Sequence, residues 1–238
     1  MKKSIIFAIF FIIAAGFFTA LFLYDKQPVK SRDETLIMAF GDSLTYGYGD
    51  EKGSGYIESL EKKLNSAHKA KDFVFKNHAV YGLETSGILK QLSDIRMSRT
   101  LEEADYFILF IGTNDLINSN GGDLNPLNIE QIKKGQEVYL ANIKAILNIL
   151  NSDNEKAPIL VLGLFNPYPD SGSIEPVIDE WNRKTIEATK KYDGVTYIPT
   201  NDLFKATNKK EYFNDSLHLN DSGYELISDR ILQKHTFR

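Results

Sequence analysis

The chain has 238 residues, of which 42% are hydrophobic and 12% aromatic, with 28 Lys plus Arg against 32 Asp plus Glu and no cysteine. This much apolar material builds a sizeable core in one or two folded units and excludes a disordered or collagenous chain. The missing thiols exclude disulfides, a thiol nucleophile, a lipidated cysteine and Cys-ligated zinc or iron–sulfur centres. Lys2 and Lys3 are the only charges before Asp25, so the remainder carries a net −6; nucleic acid is not expected as a partner, because an acidic body does not attract phosphate backbones.

Ser4 to Tyr24 form a run of 21 positions without a charge, enough for a helix to cross the ~30 Å hydrocarbon core. The run exceeds the apolar stretch of about 7–15 residues usual in a cleaved signal peptide. Residues 1–26 are therefore expected to be a signal anchor, with a cleaved signal peptide as the alternative, and membrane contact is expected through residues 4–24. The body is expected on the extracytoplasmic side, secreted if the segment is cleaved. Residues 27–35, polar and containing Pro28, read as a linker.

From Leu36 onward, β-rich runs alternate with amphipathic stretches. The strands expected are Leu36–Phe40, Phe73–Asn77, Tyr106–Ile111, Ile159–Leu164 and Val195–Ile198. Three of them are almost continuously apolar, as parallel strands covered on both faces must be. Helical stripes run through Ile57, Leu60 and Leu64, through Ile88, Leu89, Leu92 and Ile95, and through Ile132, Val138, Tyr139, Ile143, Ile146, Leu147 and Leu150. Two more start near Glu175 and Asp221. This alternation predicts one three-layer α/β domain over residues 36–238, with a central parallel sheet of about five strands and right-handed crossovers. Ligands of such sheets bind beyond the carboxyl ends of the strands.

The first strand runs into Gly41-Asp42-Ser43-Leu44. A serine on a glycine-flanked turn between strand and helix can expose its hydroxyl at the sheet edge, although a serine there also serves simply as a helix cap. The third strand ends in Gly112-Thr113-Asn114-Asp115. Asn114 can aim amide donors across the same rim or shape a turn. Near the C-terminus stands Asp215-Ser216-Leu217-His218. Residues three apart in a turn lie on one side, so the Asp215 carboxylate can accept from one ring nitrogen of His218 and leave the other free as a base. His68, His78 and His235 read as surface or satisfied core residues. No HExxH pair marks a metal site, and the Gly-rich stretches lack the P-loop lysine.

GDSL, GTND and DxxH, in that order and at those places, resemble the GDSL or SGNH hydrolase family over about residues 36–232. The chain looks most like small bacterial lipase/acylhydrolase-like members with an N-terminal membrane or export segment. The resemblance implies a flavodoxin-like α/β/α fold and a serine-dependent carboxylic ester hydrolase acting on a small-molecule or envelope ester, with no cofactor or metal. It implies Ser43 as nucleophile, His218 as general base and then acid, and Asp215 as its orienting partner. The oxyanion hole would comprise the Ser43 N–H, the Gly82 N–H and the Asn114 side chain. Around Gly82 the chain departs from a common family form: Leu83 and Glu84 follow where an acidic residue or Asn and then Thr are usual. Asp42 would support the turn. Leu44, Tyr46, Tyr48, Leu116, Ile117, Phe165 and Tyr168 are candidates for substrate contact, with ordinary loop packing as the alternative for each. Residues 118–128 are either a lid or a connection. The same site would serve a thioesterase or a polysaccharide O-deacetylase, and the fold without hydrolysis would serve an envelope-anchored binding protein.

Overall fold

A computed structural model describes residues 34–51, 55–168, 173–205 and 207–238. Its first strand, β1 (Glu34–Gly41), is buried from Thr35 to Gly41. After β1 come α1 (Ser43–Tyr46), α2 (Gly55–Ala67), β2 (Asp72–Asn77), α3 (Thr85–Leu92) and α4 (Ile95–Leu101). The middle of the chain forms β3 (Tyr106–Phe110), α5 (Thr113–Ser119), α6 (Ile129–Asp153) and β4 (Ile159–Leu162). The last third holds α7 (Glu175–Thr189), β5 (Val195–Ile198), a 3₁₀ turn (Asn201–Leu203), α8 (Lys209–Tyr212) and α9 (Asp221–Lys234). The five strands lie in the order β2-β1-β3-β4-β5 in a parallel sheet. All five expected strands are present.

Alternation along the strands divides the core between the two faces of the sheet. Met38, Phe40, Phe107, Leu109, Ile159 and Val161 pack with residues of α3, α6 and α7. Ile37, Ala39, Ile108, Phe110, Leu160 and Leu162 face the other way, toward α2 and α9. Residues 35–238 form one compact unit.

Two helical expectations need correction. The stripe from Ile88 to Ile95 is broken, because Asp94 N-caps α4 by accepting from Arg96 N–H at 2.9 Å. Ile95 is 66% exposed as a result. Val138, expected on the buried face of α6, is exposed, while Gln136, not expected there, is buried beside Tyr139. The expected membrane span, residues 4–24, lies outside the described residues. Among the described residues no helix is long and apolar enough to cross a membrane.

Candidate active site

Asp42 makes the turn that presents Ser43. Its carboxylate Oδ1 accepts the Leu44 N–H at 2.9 Å and caps α1. Gly47, at φ +92°, ends that helix after one turn. Gly41 is required by space, since a Cβ there would meet Phe110 O at 2.5 Å. Ser43 therefore sits at the carboxyl edge of the sheet, with only 4% of its surface exposed.

The histidine arrives on a small closed loop. Phe213 and Leu219 form an antiparallel bridge, and the Asn214 N–H donates to His218 O at 2.9 Å. Within the loop, Asp215 Oδ1 accepts the Leu217 and His218 N–H groups, both at 2.7 Å. Its Oδ2 lies 2.7 Å from His218 Nδ1, and His218 Nε2 lies 3.0 Å from Ser43 Oγ. Partial burial would raise the Asp215 carboxyl, but bonds from the His218 and Leu217 N–H groups and from the His218 ring outweigh it and hold the group below its ordinary value. Lys209 braces the loop: its ammonium donates to Ser216 O at 2.7 Å and lies 4.7 Å from the centre of the Tyr168 ring. On the far side, Gly49 at φ +97° lets the segment after α1 abut the histidine, because a Cβ there would lie 2.4 Å from Leu219 O. Tyr224 of α9 donates to Tyr48 O at 2.6 Å and fixes the same segment.

The expected oxyanion groups lie on the opposite flank. Among the described residues neither the Ser43 N–H nor the Gly82 N–H has a protein acceptor. Gly82 has φ +73° and no atom within 4 Å of the position a Cβ would take, so its requirement is conformational. Asn114 Nδ2, by contrast, already donates to Leu83 O at 3.0 Å and to Asp42 Oδ2 at 3.3 Å. Because Leu83 contributes only its carbonyl, the departure from the usual residue after Gly82 does not disturb this contact.

Sequence reasoning missed the part played by Asp115. Glu84 precedes α3 without capping it, and Asp115 supplies the cap from another element, accepting from Thr85 N–H at 3.0 Å and from the Thr85 hydroxyl. The Gly82 turn is thereby joined to the helix that carries Asn114. Burial raises Asp115 to about 6, and it raises the fully buried Asp42 to about 7. An acid after Asn114 that recurs to cap a distant helix leaves no local sequence signal.

Three substrate-contact expectations are corrected by burial: Leu44, Leu116 and Phe165 are core residues, at 1%, 1% and 3% exposure. Phe165 belongs to an aromatic cluster with Phe110, Phe204 and Phe213. Tyr168 supports the histidine loop through Lys209, whereas Tyr46 and Tyr48 stand exposed beside Ser43. Ile117 packs against the core. His78 stacks on Phe40, burial lowers its pKa, and its buried Nε2 has no hydrogen-bond partner among the described residues. Burial likewise lowers the pKa of His235, whose buried Nε2 has no partner among the described residues; both histidines are half-buried, between the surface and the satisfied core residue expected. Asn120 knits the segment beyond α5 together, donating to Pro126 O at 2.9 Å and accepting the Asn128 N–H at 2.6 Å. Among the described residues no three His, Asp or Glu side chains are grouped to hold a metal ion.

The model of a GDSL-like lipase/acylhydrolase family matches residues 39–226. The uncharacterized protein YpmR of Bacillus subtilis is 28% identical over 213 residues, covering 87% of this chain and 84% of that protein. The spore germination lipase LipC of Bacillus licheniformis is 28% identical over 211 residues, covering 81% and 92%. Among solved structures, the lipase Lip_vut3 from a goat rumen metagenome superposes with a TM-score of 0.73 at 23% identity, covering 86% of this chain and 99% of that one, a likeness of fold.

Proposed function

This chain belongs to the GDSL-like lipase/acylhydrolase family, and we propose that it is a serine-dependent carboxylic ester hydrolase. The observation that carries the reading is the unbroken line from Asp215 Oδ2 through the imidazole to Ser43 Oγ, at 2.7 and 3.0 Å. Ser43 Oγ attacks the ester carbonyl carbon while His218 Nε2 takes the hydroxyl proton. The resulting oxyanion receives hydrogen bonds from the Ser43 and Gly82 N–H groups and from Asn114 Nδ2. Collapse breaks the bond to the alcohol oxygen, which leaves with the proton held on Nε2. Water then enters, gives its proton to Nε2 and attacks the acyl-serine; collapse releases the acid and returns the proton to Ser43. Asp215 keeps Nδ1 protonated and stabilises the imidazolium in both halves. Asp42, being the cap of α1, positions Ser43 and touches Asn114 without meeting the substrate.

A serine-directed fluorophosphonate tests the assignment. It is expected to label the protein once, at Ser43, and to leave Ser43→Ala unlabelled and inactive toward activated esters. Labelling at another residue, or substantial hydrolysis by pure Ser43→Ala, would remove Ser43 from the reaction. The length and lack of charge of residues 4–24 support a single membrane anchor, and its signal-like layout at the start of the chain supports a body outside the cytoplasm. Protease added to cells stripped of their wall is expected to remove the body; full protection would reverse the topology, and a soluble product starting near residue 25 would mean a cleaved signal.

A further inference from the structure

Among the described residues seven large apolar side chains remain exposed, and four of them, Tyr46, Tyr48, Val80 and Tyr81, lie on the two segments that flank the nucleophile. An exposed apolar cluster at the mouth of a site is where a ligand is met. Two of the four touch the histidine: the Tyr48 ring centre is 4.5 Å from that of His218 and the Tyr81 ring centre 6.0 Å. The two tyrosines meet each other edge to face at 5.2 Å, forming a corner. They stand 46% and 60% exposed, yet their backbones are fixed. The Tyr48 N–H donates to Ser43 O at 3.0 Å and its carbonyl accepts from Tyr224. Tyr81 lies in a turn closed by Leu83 N–H to Val80 O at 3.2 Å, and Val80 N–H is pinned to Gly41 O at 3.1 Å. Rigid backbone under open aromatic rings is preorganisation, which ordinary surface packing does not need.

The position of the corner decides which half of an ester it meets. In the mechanism above, His218 Nε2 hands its proton to the departing alcohol, so the alcohol must lie against the imidazole when the bond breaks. The acyl carbon is bound to Ser43, and it is its oxyanion, not its chain, that is turned toward Gly82 and Asn114. We infer that Tyr48 and Tyr81 are the alcohol subsite, and that the alcohol is a sugar ring bearing the scissile O-acyl group. Tyrosine presents an apolar face and a polar tip, matching a pyranose with its C–H face and hydroxyl edge. The open corner leaves the rest of a glycan chain in water, and the net charge of −4 disfavours anionic alcohols such as phosphoglycerides. This inference rests on the serine-hydrolase reading.

The test compares two acetates that give the same acetyl-serine, ethyl acetate and a mono-O-acetylated methyl glucopyranoside, using the full-length protein in detergent. For wild type, Tyr48→Ala and Tyr81→Ala, the ratio of kcat/KM for the sugar ester to that for ethyl acetate cancels the intrinsic reactivity of the alcohols. Each exposed tyrosine can be truncated without touching the core. The ratio is expected to fall by roughly three- to tenfold per ring, the strength typical of aromatic contacts. Equal losses on both esters, or a shifted pH profile with an unchanged ratio, would make the rings a shield of the imidazole and overturn the inference. Preferential loss on a monoacylglycerol, whose lipid is the acyl half and whose alcohol is glycerol, would move the corner to the acyl side and overturn it as well. Failure of wild type to hydrolyse either acetate, together with no fluorophosphonate labelling of Ser43, would overturn the serine-hydrolase reading itself.

Discussion

On one flank of Ser43 the Asp215 carboxylate already holds two backbone N–H groups and the imidazole, and the imidazole already holds the serine hydroxyl. On the other flank, two backbone N–H groups have no protein acceptor among the described residues, and Asn114 is engaged with Leu83 O and Asp42. The difference follows from when each flank is needed. The base must hold the correct tautomer before any substrate arrives, so its partners are permanent. The oxyanion exists only in the transition state, and donors left free or weakly occupied cost little to redirect toward it. At 3.3 Å the contact with Asp42 is the weaker of the two Asn114 bonds, and its hydrogen is the one most readily turned to an oxyanion.

The largest effect is expected on the finished flank. Asp215→Asn keeps an oxygen for the Leu217 and His218 N–H groups but sets an amide against Nδ1, which drives the proton to Nε2, where it can no longer accept from Ser43. The expected loss in kcat is about 10³–10⁴. The circular dichroism spectrum should be unchanged, because the loop keeps its backbone bonds. A loss below tenfold would mean that the histidine is oriented by something other than Asp215, and the comparison between the flanks would fail on its stronger side.

On the open flank, Asn114→Ala removes one donor and is expected to lower kcat by about 10²–10³ with little change in KM. Asn114→Asp separates the two roles the residue could have. It preserves shape but offers an acceptor to the oxyanion and a second negative charge beside Asp42, so it should be at least as damaging as Ala. An Asp variant near wild type would leave Asn114 a turn residue. Equal folding of the two variants, followed by their thermal unfolding, is the necessary control.

How much of this arrangement the sequence carries depends on how local the physics is. The three central strands are legible because a strand buried on both faces has to be written as a continuous apolar run, as in YFILF. Asp215 and His218 are legible because a three-residue spacing within one turn fixes their relation. The pocket residues were not: Leu44, Leu116 and Phe165 follow the motifs in sequence, but their side chains turn into the core, and nearness to a motif along the chain says nothing of which way a side chain points. Tyr81 escaped notice for the opposite reason. It contacts His218 across 137 positions, a distance in the chain that no spacing rule reaches. The Asp115 cap on α3 is of the same kind, since Thr85 is 30 positions away.

The smallest expected effect is on stability, and it probes the carboxylate at the meeting point of the two flanks. Asp42 is fully buried, and desolvation lifts its pKa from an ordinary 3.8 to about 7; the Leu44 N–H opposes this only in part, and the charge of Asp115 adds to it. Asp115 is raised in the same way to about 6. Between pH 3.8 and these values the folded chain holds protons that the unfolded chain has lost. Stability contributed by each group is therefore full below pH 3.8 and falls as pH rises, for Asp115 until about 6 and for Asp42 until about 7. Asp42→Asn keeps the oxygen that caps α1 and removes the ionisation. Between pH 5 and pH 8 wild type should lose more melting temperature than Asp42→Asn, in which only Asp115, half-ionised at about 6, still gives up a proton held by burial, and the two curves should draw apart most steeply near pH 7. Parallel curves through pH 7 would mean that Asp42 carries the same charge in both states of the chain. Asn114 would then face a permanent carboxylate competing for its amide, and the ease of redirecting that donor, which distinguishes the open flank from the finished one, would be lost.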